Sequence, residues 1–134
     1  MTHRSKLSQI VIDGTDLHAA LAFWAAALGL PTAAAKIEEP YATIGDIGGL
    51  HIVVQRVPEP KTAKSRVHLD IETDDIEAEV RRLEALGARR LEQHEGWWVL
   101  HDPCGNEFCV FGPHLSAGFP TGARVWDEQT GDHA

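Results

Sequence analysis

The chain has 134 residues, of which 43% are hydrophobic and 24% charged, the length and composition of one globular domain able to bury a core. Its formal charge of −8 and its twelve scattered Lys and Arg residues exclude the clustered basic surface that nucleic-acid binding requires. No apolar run approaches the roughly 18 residues of a membrane span, and the opening "MTHRSKLSQIVID" lacks a signal-peptide core. These features predict a cytoplasmic protein, with no nucleic-acid or membrane partner and with its two cysteines reduced.

In chain order, "QIVIDGTDL" (9–17) reads as a strand running into an acidic helix cap. Leu17, Leu21, Trp24 and Leu28 then recur at helical spacing. Asp16 is a natural N-cap, and Gly29 suits a left-handed C-terminal stop. A short strand is expected around 34–38. Strands at 41–47 and 51–57 follow, joined by a Gly48-Gly49 turn. The charged, proline-containing stretch "PEPKTAKSR" (58–66) reads as a connection, with Lys61, Lys64 and Arg66 on a solvated loop or, as the alternative, in contact with an anionic ligand.

The pattern then repeats. "HLDIETDDI" (68–76) lies 59 residues after the first strand–cap unit. Its helix carries Ile76, Val80, Leu83 and Leu86, is capped by Asp74 or Asp75, and stops at Gly87. Strands are expected at 88–94, 97–102 and 107–112, and residues 113–134 form an irregular tail. Agreement in strand, cap, helix and stop at one offset marks an internal duplication. The domain is therefore 1–112, with modules at about 7–57 and 67–112.

Strand side chains alternate between faces. With the aliphatic faces placed under the helices, the opposite face holds Gln9, His51, Gln55, His68, Asp70, Trp97, His101, Glu107 and Cys109. By parity alone such a face is either a ligand cavity lining or a solvated outer surface. Trp97 is placed on it, where it could stack on a flat ligand, while Trp24 is assigned to the core.

The duplicated modules, "FWAAALGL" (23–30) and "DPCGNEFCVF" (102–111) resemble the glyoxalase/bleomycin-resistance/dioxygenase superfamily, also called the vicinal oxygen chelate fold. Residues 56–88 resemble its glyoxalase-like subgroup. The resemblance implies an α+β fold in which two βαβββ modules form an open curled sheet around a central cleft, in a chain that forms a homodimer. It also implies metal ligands at the first and last strands of each module, which here are Gln9, Gln55, His68 and Cys109.

Those four residues depart from the enzyme pattern. Two neutral amides, an imidazole and a thiol suit a hard divalent ion poorly, although zinc accepts His and Cys. The leading expectation is accordingly a protein that binds a small organic ligand, as drug-sequestering proteins do, with no metal cofactor. The ligand-binding residues would be Gln9, His51, Gln55, His68, Asp70, Trp97, His101 and Cys109. The alternative is a glyoxalase-like lyase or isomerase, or a dioxygenase. It would be either metal-free, using His68, Glu107 and Cys109 for acid–base or nucleophilic steps, or dependent on zinc, nickel, manganese or iron. Cys104 falls on a turn and Cys109 on a strand, so no disulfide is expected.

Overall fold

The computed structural model describes residues 1–113, 118, 119 and 121–127. The chain divides into two units, Met1–Pro60 and Lys61–Ala134, each built as a βαβββ module. The strands form two separate four-stranded sheets, neither closed into a barrel, so the fold is α+β as the sequence predicts.

The first module runs β1 (Gln9–Gly14), α1 (Leu17–Leu28), a short 3-10 turn (Thr32–Ala34), β2 (Lys36–Glu38), β3 (Tyr41–Ile47) and β4 (Leu50–Arg56). Its sheet order is β1-β4-β3-β2. β1 pairs with β4 in parallel, because the helix carries the chain back to the start of the sheet. The Asp16 carboxylate accepts the Ala19 N–H at 3.0 Å, satisfying a free donor of the first helical turn. The helix ends where Gly29 adopts φ 71°, a left-handed conformation that suits glycine. Phe23 and Trp24 are buried and meet edge to face, with ring centroids 5.1 Å apart. Ala42, Ile44, Ile52 and Val54 bury the inner face of the sheet.

The second module repeats the order with β5 (Leu69–Glu72), α2 (Ile76–Ala85), β6 (Arg89–His94), β7 (Trp97–His101) and β8 (Glu107–Phe111). The sheet order is β5-β8-β7-β6, with β5 parallel to β8. Asp75 is the helix cap, accepting from the Ala78 N–H at 3.0 Å. His68 stands one residue ahead of β5, whereas Gln9 opens β1. Val80 and Leu83 of α2 and Leu100, Phe108 and Val110 of the sheet are fully buried. α2 also carries a buried ion pair, with Arg82 Nε 2.6 Å from Glu79 Oε1. The Trp126 ring, from the segment predicted to be an irregular tail, lies 3.8 Å from the Arg82 guanidinium.

The β7–β8 turn is organised by one buried carboxylate. Asp102 is 2% exposed. Its Oδ1 accepts the N–H groups of Cys104 and Asn106, each at 2.9 Å, and its Oδ2 accepts the Asn106 side-chain amide at 3.0 Å. The turn therefore places Cys104 at the tip, and both cysteines are free thiols. Gly112, directly after β8, abuts the Thr73 carbonyl oxygen so closely that any Cβ there would collide with it.

Asp102→Ala removes the carboxylate that accepts from two part-buried backbone donors and the Asn106 amide, so a loss of about 2–3 kcal/mol is expected. Asp102→Asn keeps an acceptor oxygen and should lose less. Urea unfolding followed by far-ultraviolet circular dichroism reads both.

Candidate functional site

In the second module the sheet face turned away from α2 lines a cavity of about 1310 Å³. Alternation along β5, β7 and β8 brings His68, Asp70, Trp97, His101, Glu107 and Cys109 together on its wall. Register then orders them in rows. Arg89, His101 and Glu107 are cross-strand neighbours at one end. Val99, Cys109 and Asp70 cross the middle. His94, Trp97 and Phe111 form the far row, with the His94 and Trp97 rings stacked 4.5 Å apart. The face grades from polar to aromatic along its strands, and Trp97 remains 40% exposed.

The other three candidates belong to the first module. Gln9 and His51 are direct partners in the β1–β4 ladder, and both are exposed. Gln55 pairs with Asp13 and Tyr41, and its amide donates to the Tyr41 hydroxyl at 3.4 Å. The four predicted metal positions are thus split, Gln9 and Gln55 in one module and His68 and Cys109 in the other.

Around Cys109 the donors do converge. His68 Nε2 is 3.1 Å from Asp70 Oδ1, and ligand atoms of His68, Asp70 and Cys109 all lie within 4.8 Å of one another. An imidazole, a carboxylate and a thiol are the donor types zinc takes, so these three residues fit zinc. A hard, oxygen-seeking ion such as manganese fits them poorly. As a bare nucleophile Cys109 is badly placed. Burial pushes its thiol pKa up, and the Asp70 charge and hydrogen bond add to that, outweighing the opposing charge of Lys64. Thiolate is the reactive form, and this site disfavours it.

Glu107 is held differently from the free acid or base that catalysis requires. Its side chain is 10% exposed. Lys61 Nζ donates to Oε1 at 2.8 Å, and the Ser65 N–H donates to Oε2 at 3.1 Å. Burial alone would raise its pKa, but the bonds from Lys61, from Ser65 and from backbone N–H groups overcome that and hold the carboxyl well below the ordinary carboxylate range. Both oxygens are committed to pinning residues 61–65 across the cavity rim as a strap. Gly105 of the β7–β8 turn passes close beneath Lys61.

The sequence reading missed the strap and Arg89. Lys61 and Lys64 looked like a solvated loop, yet both line the cavity. Arg89 does so as the cross-strand partner of His101. A register shift between Arg90 and Glu92 then puts Glu92 and His94 opposite Val99 and Trp97, where strict alternation from Arg89 would have put Leu91 and Gln93. Two adjacent arginines at the start of a predicted strand, one of which alternation turns to each face, were the available signal.

Paired βαβββ modules, one of them presenting a cavity-lined sheet face, define the class, and residues 9–111 match the Glyoxalase-like domain family. The chain belongs to that family, within the glyoxalase/bleomycin-resistance/dioxygenase superfamily. No curated protein sequence matches it. Among solved structures it is similar to a glyoxalase/bleomycin resistance protein from Albidiferax ferrireducens T118. The identity there is 18%, over 80% of this chain and 98% of that one, with TM-score 0.60. It is also similar to the fosfomycin resistance protein of Mesorhizobium loti, at 16% identity over 84% and 96% of the two chains, with TM-score 0.63. A glyoxalase-related enzyme from Fulvimarina pelagi gives 16% identity over 85% and 94%, with TM-score 0.63.

Two measurements follow from this geometry. Glu107→Gln should cost on the order of 2 kcal/mol at neutral pH, as expected for hydrogen bonds to a charged group. A depressed folded-state pKa stabilises above the unfolded value, near 4.5, and that stability is lost as pH falls through the folded value. The gap between the variant and the parent protein should therefore stay constant from pH 8 to about pH 5 and narrow only in stronger acid, as read by urea unfolding. In a Cys104→Ser background, iodoacetamide should alkylate Cys109 more slowly than free cysteine at pH 7.5. Asp70→Asn should speed the reaction, as followed by mass spectrometry.

Proposed function

We propose that this protein binds a small organic ligand in the cavity of its second module, with Trp97 as the main apolar contact and no metal required. The observation that carries the reading is the graded face, along which a half-exposed indole stacked on His94 lies on the same wall as Arg89 and His101. Ligand sites combine apolar and aromatic walls with a few placed polar groups, and a ring left open to solvent gains area on stacking. In this reading Glu107 holds the strap rather than moving a proton. His68, Asp70 and Cys109 supply polar contacts, and Gln9, His51 and Gln55 of the first module remain ligand-binding candidates. The proposal extends to a homodimer, as the superfamily resemblance implies, in the cytoplasm, as the sequence features predict.

The convergence of His68, Asp70 and Cys109 supports a second reading, a zinc-dependent lyase or isomerase. Zinc would supply a Lewis acid to polarise a substrate oxygen.

One experiment separates the two readings. Flat aromatic compounds are titrated calorimetrically against untagged protein in EDTA, and zinc is titrated separately. Binding that survives EDTA and weakens about tenfold or more in Trp97→Ala, the cost of losing a buried aromatic anchor, supports the first reading. Binding equal in Trp97→Ala and the parent protein would sink it. Stoichiometric zinc, lost in both His68→Ala and Cys109→Ala and needed for ligand binding, would establish the second.

A further inference from the structure

The cavity wall separates its charges, and the separation specifies a ligand class. Arg89 and Lys64 both line the cavity, and neither has an ion-pair partner among the described residues. Arg89 stands on β6, directly opposite His101 on β7. Lys64 comes from the strap, between Lys61 and Ser65, which are both bonded to Glu107 of β8. In the strand order β8-β7-β6, His101 therefore occupies the strand between the two free cations, offering a ring nitrogen as a further donor.

The acids on the same wall do not neutralise this end. Glu107 is committed to Lys61 and Ser65. Asp70 and Glu92 stand in the middle row with Cys109 and Val99, one row away from Arg89 and His101. Glu95 sits in the β6–β7 turn, at the opposite end of both strands from Arg89 and His101. At about 3.3 Å per residue that is on the order of 15 Å away. Two unpaired cations and an imidazole at one end, with an indole and Phe111 at the other, match an elongated amphiphilic anion.

We infer that the ligand is an organic oxyacid whose acid group sits between Arg89, Lys64 and His101 and whose apolar body runs over Val99 towards Trp97. This rests on the binding reading above and deepens it. An arginine fork can grip a carboxylate or phosphonate through two parallel hydrogen bonds, whereas lysine acts as a point charge. Both contacts weaken in salt, because both side chains are reached by solvent.

The test uses 4-(2-naphthyl)butanoate, its primary amide, and 3-(2-naphthyl)propylphosphonate, titrated by calorimetry. The two acids should bind at least tenfold more tightly than the amide in 50 mM salt, and the preference should shrink at 500 mM. Arg89→Gln and Lys64→Gln should each reduce the preference severalfold, and Arg89→Lys should restore part of it. The stronger of the two acids identifies the head group. Equal affinity for acid and amide, or a preference untouched in Arg89→Gln and Lys64→Gln together, overturns the oxyacid inference while leaving the cavity reading standing. No binding of any of the three overturns both.

Discussion

The parallel pairing of β5 with β8 is the constraint on which the second module depends. Its last strand returns beside its first only because α2 carries the chain across the sheet and the β6–β7–β8 meander brings it back. That closure makes β8 an inner strand with two occupied faces. Phe108 and Val110 meet the helix side with no exposure, while Glu107, Cys109 and Phe111 face the cavity. One five-residue strand thus supplies core, strap anchor, polar centre and aromatic wall, ordered by alternation alone. The first module is closed the same way, with Ile52 and Val54 of β4 buried and His51 exposed on the other face.

Most of the fold was legible because its signals are local and periodic. The caps at Asp16 and Asp75 and the glycines after both helices each have a short-range mechanism, and the strand alternation extends over several residues. The duplication made each reading a check on the other. Parity also selected the wall residues of β5, β7 and β8, since a regular strand commits every second side chain to the same face. What stayed hidden is non-local. The register shift beside Leu91 has no sequence signature that period-two reading can detect. The bonds from Lys61 and Ser65 to Glu107 span 46 and 42 residues, so a segment that looks solvated in sequence becomes part of the site only when the sheet forms.

The chemistry of the two acidic candidates diverges for a physical reason. Glu107 is buried but receives a lysine and backbone N–H groups, so its charge is stabilised. Asp70 is about half exposed and lies beside His68 and Cys109, where its charge discourages a second negative group on the sulfur. A carboxylate on each of two neighbouring strands thus serves as a fastener in one place and a modulator in the other. The stretch from His101 to Gly112, which holds both cysteines, is organised by Asp102 and Glu107 rather than by its thiols.

The placement of Trp126 shifts where the folded unit ends. β8 closes the sheet at Phe111, yet the indole fifteen residues later lies against Arg82, whose side chain is only 6% exposed. A chain cut just after the last strand would open the Glu79–Arg82 pair to water on the side the indole now covers. For anyone trimming this protein, the boundary that preserves α2 lies beyond Trp126, not at the end of the sheet.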